Sequence, residues 1–379
     1  MRILQFGRFW NDQHGGIERH VAELSKGLAA QGVEIVNLVA ATGLGGSDTT
    51  HDGYRLVQVP SFGVAFRTAM SPALVFKARQ LHREKPFDAF HLHFQDPLSH
   101  LASLLLPRKV PRVITWHHDI VRQKAMLSAY RPWLQNELRR ADALVAATQA
   151  HFDTSAQIPV DIPAERKHVI PYGLDFGNLA LNHSTVLLVD ALRVRADGRK
   201  LIFALGRHVS YKGFDVLIAA MRQVDALLLL GGSGPLSDAL KAQAHALDVA
   251  DRVAFVGRIP EADLAAYFHA CDVFCLPSVT QVEAFGLVQL EAMACGKPVI
   301  CTLLNNGVNV VNVNGETGMA VPPQDAGALA IALNLLLQND AVRQQMGRQA
   351  QARALGLYSL SAMTQRHLQL YQDLPHASR

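Results

Sequence analysis

Apolar and polar positions along the chain fall into an alternating series that restarts once. Short, nearly continuous apolar runs occur at Arg2–Phe6, Val33–Ala40, Ala89–His93, Arg112–Thr115, Ala143–Ala147 and His168–Ile170. Runs of this length, apolar on both faces, suit strands buried in a parallel sheet. Between them the apolar spacing is helical, at Gly16–Gln31, Ser71–Glu84, Pro97–Leu105 and Ala129–Ala141. The alternation begins again with strands at Leu201–Leu205, Ala226–Leu230, Val253–Val256, Val273–Leu276 and Val299–Cys301, and helices near 213–223, 236–247, 261–270 and 284–295. Two successive βα series predict two α/β domains, each a doubly wound parallel sheet. Pro171 and Gly173 bracket a turn, and the polar, irregular stretch Gly177–Ser184 follows. The boundary is therefore expected near residue 173, with domains at 1–172 and 173–358.

Length and composition agree with this. A chain of 379 residues that is 49% hydrophobic and 18% charged accommodates two well-packed domains and is not disordered. No uninterrupted apolar run approaches the ~18 residues of a membrane span, and Met1–Phe6 enters a strand directly, without a signal-peptide layout. Cys271, Cys275, Cys295 and Cys301 stand at apolar positions with no Cys-x-x-Cys pair. They read as reduced core residues of a cytoplasmic protein.

Charge is uneven. Residues 1–172 hold 20 Lys+Arg against 15 Asp+Glu, +5, and the remainder 16 against 17, −1. A mildly basic first half suits an anionic partner such as a lipid diphosphate or an anionic membrane surface. Phe66–Met70 and Phe76–Arg79, and Met126, Trp133 and Arg139–Arg140, mix bulky apolar residues with bases in the pattern of a monolayer-facing surface, which ordinary amphipathic helices also show. The excess is too small and too dispersed for nucleic acid.

The chemistry concentrates in Pro277–Pro298. An apolar strand ends at Pro277-Ser278, an apolar helical face resumes at Phe285, Val288 and Met293, and Gly296 with Pro298 closes the helix. Its mouth, Phe285-Gly286-Leu287, offers unpaired N–H groups and the positive end of a helix dipole, which is an anion site. Glu283 stands at that mouth and Glu291 more than two turns further in. A carboxylate beside an anion site is unfavourable unless each faces a different part of one ligand, and a sugar nucleotide, with phosphates and hydroxyl groups, fits that demand. Upstream, Gly206–Gly213 places Arg207 and Lys212 around a loop that opens a helix, a rigid fork and a compact charge suited to a departing diphosphate.

The stretch Glu283-Ala-Phe-Gly-Leu-Val-Gln-Leu-Glu291-Ala-Met-Ala-Cys-Gly-Lys-Pro-Val-Ile resembles the signature of the retaining family 4 glycosyltransferases. The resemblance implies a GT-B fold, two Rossmann-like domains with the donor held between them. It implies that Arg207 and Lys212 hold the donor phosphates, Glu283 the sugar hydroxyls, Glu291 the ribose, and the Phe285, Gly286 and Leu287 amides the diphosphate. Gly257, Arg258 and Ile259, after the third strand of the second half, would meet the nucleotide base. Val169–Asp175 resembles the family's interdomain hinge, and Asn314–Pro323 its Gly-x-Thr-Gly-x-x-Val-Pro-Pro segment. The last helix, about 359–379, would pack back on the first domain.

Three loops of the first half complete the reading. Gly15-Gly16 precedes a helix, as a plain turn or as a phosphate-contacting loop; the family places such glycines on the donor diphosphate. His91 and His93 alternate on one strand face, but the sequence shows no third metal ligand, so a core reading is preferred and no metal site is expected. Thr115-Trp116-His117-His118-Asp119 resembles the Thr-x-His-x-Asp segment of bacterial mannosyl- and rhamnosyl-type transferases, which would bring His117 near the transferred sugar. Arg122 and Lys124 follow as candidates for an acceptor phosphate or a membrane.

The function implied is retaining transfer of a hexose from a nucleoside-diphosphate sugar, GDP-mannose or a GDP-deoxyhexose favoured. The acceptor would be a hydroxyl of a glycan or polyprenol-diphosphate-linked saccharide, in cell-surface polysaccharide or lipopolysaccharide synthesis. No further cofactor is expected: there is no Asp-x-Asp for a metal–diphosphate clamp and no Gly-x-Gly-x-x-Gly for a dinucleotide. Expected partners are the donor, the acceptor and the inner face of the cell membrane, with no nucleic acid. A phosphorylase or epimerase of the same fold, or a UDP-sugar-dependent transferase, is the alternative.

Overall fold

The computed structural model describes residues 1–9, 16–65, 68–94, 96–120 and 124–375. The chain divides into two units, Asp175–Ser359 forming one and Met1–Leu174 with the helix Leu360–Asp373 the other.

Unit 1 is built on an eight-stranded sheet. Its order is Lys167–Val169, Ala143–Ala146, Arg112–Trp116, Ala89–Phe94, Arg2–Phe9, Glu34–Ala40, Tyr54–Val59, Ser47–His51, parallel except for the last pair. Alternate residues of each strand face opposite layers. Leu4 and Phe6 join Leu74, Leu81 and Leu138 on one side, while Ile3 joins Leu24, Leu28 and Met363 on the other. Leu360 N donates to Leu174 O at 2.8 Å, and the terminal helix then lies on the helix Gly16–Ala30. The approach is close: a Cβ on Gly27 would sit 2.2 Å from Thr364 Oγ1.

The antiparallel pair Ser47–His51 and Tyr54–Val59 is not foretold by the apolar pattern. Ser47–His51 is an edge strand with most side chains exposed, so it carries no hydrophobic period. Its signal lies in Asp52-Gly53, both at positive φ (45° and 84°), the pair that a two-residue hairpin turn favours.

Unit 2 has a six-stranded, all-parallel sheet in the order Val253–Gly257, Leu227–Gly231, Leu201–Leu205, Val273–Leu276, Val299–Thr302, Gly318–Val321. The helix His183–Ala196 is likewise absent from the sequence expectation, because its apolar residues lack a consistent face; its start is marked by Asn182, whose side chain accepts from Thr185 N at 2.9 Å. The helix expected over 284–295 is shorter, Leu287–Ala294. Gly286 precedes it in the left-handed region at φ 68°, ψ 58°.

Candidate active site

Strand order decides where ligands meet a parallel α/β sheet. In unit 2 the chain runs outward from Leu201–Leu205 through two strands, then returns to lay Val273–Leu276 on the other side of the first. Loops leaving these two central strands diverge at their carboxyl ends, the usual position of a ligand crevice. One loop carries Arg207 and Lys212, and the other Ser278, Glu283 and Gly286.

Backbone contacts lock these loops together. Val279 N donates to Tyr211 O at 2.8 Å, His208 N to Ser233 O at 3.0 Å, and Gly232 N to Gly257 O at 2.7 Å. The approaches are too close for side chains: a Cβ on Gly213 would lie 2.0 Å from Pro277 O, and one on Gly232 1.9 Å from Gly206 O. Both glycines have positive φ, 66° and 105°.

Across the switch point Lys212 Nζ pairs with Glu283 Oε2, with both side chains 12% exposed. Ser278 Oγ donates to the same carboxylate oxygen at 3.0 Å, and Asn306 Nδ2 donates to the Glu283 carbonyl at 2.8 Å. Ser278 is fixed in turn by Thr302, whose Oγ1 donates to the Ser278 carbonyl. Sequence reasoning misses Ser278 and Asn306; the one legible sign is Asn306 as the cap of the helix Gly307–Val311.

Arg207 is exposed and has no ion-pair partner among the described residues. The helix Leu287–Ala294 begins beside this pair, and the first N–H groups of a helix have no partner within it. Gly286 permits that start, since a Cβ there would meet Leu276 Cδ2 at 2.6 Å. Phe285 is buried against Tyr358, with rings 6.0 Å apart, and anchors the turn. Glu291 lies on the same helix, 4% exposed. Gly257 ends its strand at φ 69°, with Arg258 exposed and Ile259 half-buried beyond it. The arrangement combines two exposed cations, one paired cation, a helix N-terminus and two carboxylates. It suits a ligand with a diphosphate and hydroxyl groups.

In unit 1 the corresponding switch point lies between Arg2–Phe9 and Ala89–Phe94. Gly16 opens the helix Gly16–Ala30; Gly15, with Arg67 and Arg122, falls outside the described residues. His117 follows the strand Arg112–Trp116 and is 2% exposed, with Nδ1 2.7 Å from Tyr172 Oη and Nε2 3.3 Å from His93 Nδ1. His118 is exposed instead. Asp119 holds the segment Ser155–Ala156, accepting from Ser155 Oγ at 2.6 Å and Ala156 N at 3.2 Å.

Five buried rings gather here, His20, His91, His93, His117 and His367. Burial pushes all five pKa values down, with His20 at about 3 and His367 at about 4. Below about pH 6.5 the unfolded chain therefore binds more protons than the folded one. The stability of unit 1 should be complete above that pH and fall towards the folded values, by about 1.4 kcal/mol per pH unit for each ring titrating. All three tryptophans, Trp10, Trp116 and Trp133, lie in this half, so fluorescence-detected urea unfolding reports on unit 1. A urea midpoint unchanged from pH 8 to pH 5 would count against a neutral cluster.

Two α/β units built on parallel sheets, one with cations and carboxylates at its switch point, have the form of a ligand-binding α/β enzyme. Residues 14–177 match the model described as Glycosyltransferase Family 4, and residues 193–353 that of Glycosyl transferases group 1. A D-rhamnosyltransferase of Pseudomonas aeruginosa is 31% identical over 95% of this chain and 92% of its own. An O-antigen chain mannosyltransferase of Escherichia coli is 25% identical over 99% of both. The chain belongs to the family 4 glycosyltransferases, and is a glycosyltransferase with the GT-B fold. Among solved structures, sucrose-phosphate synthase of Thermosynechococcus elongatus superposes with a TM-score of 0.77 at 24% identity, covering 98% of both chains. An Anabaena protein solved in complex with UDP gives 0.77 at 22% identity, over 99% of this chain and 100% of its own.

Proposed function

We propose that this glycosyltransferase moves mannose or a deoxyhexose such as rhamnose from a GDP sugar to a hydroxyl of a glycan or lipid-linked saccharide, with retention of anomeric configuration. The observation that carries this reading is the Lys212–Glu283 pair at the switch point, beside exposed Arg207 and the start of the helix Leu287–Ala294. The mannosyl and rhamnosyl activities of two relatives support the sugar class.

Charge builds on the leaving diphosphate as the glycosidic bond breaks. Arg207, Lys212 and the helix-start amides meet that charge, so they stabilise the transition state more than the bound donor. Glu283 then faces the sugar, and Glu291 the ribose. Ser278 and Asn306 are positioning residues, holding the Glu283 carboxylate and backbone. Gly257, Arg258 and Ile259 take the base. No divalent ion is required at the diphosphate: turnover should be the same with and without added Mg²⁺ or Mn²⁺.

A panel of GDP and UDP sugars tests the donor by thermal shift and hydrolysis. A ligand at 100 times its Kd adds about 2.7 kcal/mol, readily seen as a raised midpoint. The reading fails if only UDP sugars raise it, or if the product shows an inverted anomer by NMR.

Among the described residues no helix is long and apolar enough to cross a membrane. Phe76 and Trp133 are 72% and 64% exposed on basic helices, which supports a peripheral contact with anionic lipid. Phe76→Ser with Trp133→Ser should abolish cosedimentation with anionic vesicles while leaving transfer to a soluble acceptor intact. Equal sedimentation of the double variant and the parent would remove this surface from consideration.

A further inference from the structure

The histidines of unit 1 are arranged more specifically than a buried aromatic core requires. One ring nitrogen from each of His20, His93 and His117 lies within 4.8 Å of the other two. Ring centroids are 5.6 Å apart for His20–His93, 5.3 Å for His20–His117 and 5.5 Å for His93–His117. Three imidazoles on one tetrahedral ion at 2.0–2.1 Å would have centroids roughly 5.2 Å apart and nitrogens roughly 3.3–3.4 Å apart. His93 Nδ1 and His117 Nε2 are 3.3 Å apart. The three centroid separations and one of the three nitrogen separations are close to those of a coordination shell.

Hydrogen bonding points the same way. Among the described residues neither nitrogen of His20 has a partner, although both are buried, and a bound ion would take one of them. Leaving such groups unsatisfied costs about 1–3 kcal/mol each, and native interiors rarely do so without an unseen partner. His117 has the complementary feature. With Nε2 turned towards the other two rings, its Nδ1–H is free to donate to Tyr172 Oη at 2.7 Å, a contact of the kind that fixes the tautomer of a ligating histidine. His91 is excluded from the set because both of its nitrogens are taken, by Tyr371 Oη at 2.6 Å and Thr115 Oγ1 at 2.7 Å. His367 donates Nδ1–H to the Met363 carbonyl at 3.0 Å, which leaves a buried lone pair on Nε2 with no partner among the described residues. Burial keeps the rings neutral, the form that binds metal.

We infer that His20, His93 and His117 form a site for a borderline divalent transition metal, Zn²⁺ being the best match, within unit 1. Three neutral imidazoles and no carboxylate disfavour Mg²⁺ and Ca²⁺, which prefer oxygen ligands. It shares no residue with the unit 2 site and does not depend on the donor assigned there. It joins the helix Gly16–Ala30 to the strand Ala89–Phe94 and the loop after Arg112–Trp116, holding three loop-bearing elements in register. The sequence alone does not show a third ligand for His91 and His93. It comes from His20 and His117, far from them along the chain, with His91 dropping out.

The test is metal binding by the full chain, read by metal analysis and by the visible spectrum of Co²⁺ as probe. Chelator-treated protein should take up one Zn²⁺ or Co²⁺ per chain, the cobalt form should show intense tetrahedral bands, and the thermal midpoint should rise with bound metal. His20→Phe, which keeps a planar ring in the space, should weaken binding by about 100-fold or more and abolish the bands. Tyr172→Phe keeps all three ligands and guards against a His20 variant that fails to fold; it should weaken binding about 10–100-fold. A wild-type protein that binds no stoichiometric Zn²⁺ or Co²⁺ overturns the inference. So does undiminished binding by a folded His20→Phe variant, which would place the metal on surface histidines.

Discussion

Arg207→Ala and Lys212→Ala should each reduce turnover by about 10²–10³, the usual loss when a donor to a developing oxyanion is removed. The structure separates the two in a second measurement. Arg207 is exposed and has no ion-pair partner among the described residues, so its removal should leave the melting temperature close to that of the parent. Lys212 is the ion-pair partner of Glu283, and both side chains are largely buried. Lys212→Ala leaves that carboxylate, among the described residues, with Ser278 Oγ as its remaining donor, and stranding a buried charge costs of the order of 3 kcal/mol. The lysine variant should therefore melt earlier as well as turn over slowly. Near-parental turnover in both variants would remove the cationic clamp from the mechanism.

Glu283→Gln and Glu291→Gln should fail in different ways. A ribose contact persists in substrate, transition state and nucleoside diphosphate product, so Glu291→Gln should raise KM and weaken product binding together. A carboxylate at the sugar acts most strongly as the ring gains positive charge, so Glu283→Gln should mainly lower kcat. Glu283 also engages Lys212 in the free protein. Its neutralisation releases that lysine to the phosphates, and Glu283→Gln should bind the bare nucleoside diphosphate at least as tightly as the parent does. Calorimetry with the nucleoside diphosphate, alongside steady-state kinetics, reads both effects. Equal weakening of product binding in the two variants would show that the division of roles is wrong.

Much of the molecule is legible in the order of its residues. The inner strands of both sheets can be read, though Ser47–His51, Tyr54–Val59 and Gly318–Val321 cannot, because a strand apolar on both faces has to be buried, and burial leaves a pattern in neighbouring residues. The Glu283–Pro298 stretch can be read for a similar reason: strand end, loop, helix and stop follow one another along a single segment. Its details are less secure. The helix begins at Leu287, beyond the expected 284, because Gly286 occupies a left-handed conformation. Glycine suits that place twice over, by its positive φ and because a Cβ would meet Leu276 Cδ2 at 2.6 Å, a contact that local propensity does not contain.

The sequence by itself determined the alternation of strands and helices from which both units are built, and the residue types at the switch point of unit 2. These depend on interactions between near neighbours. Tertiary structure alone decided which residues meet. Lys212 reaches Glu283 71 positions away because strand Val273–Leu276 returns beside Leu201–Leu205 instead of continuing outward. His20, His93, His117 and Tyr172 converge because a helix, two adjacent strands and the chain entering the second unit meet at one sheet edge. Strand order is set by the packing of whole layers, and packing brings together side chains whose spacing in sequence carries no period.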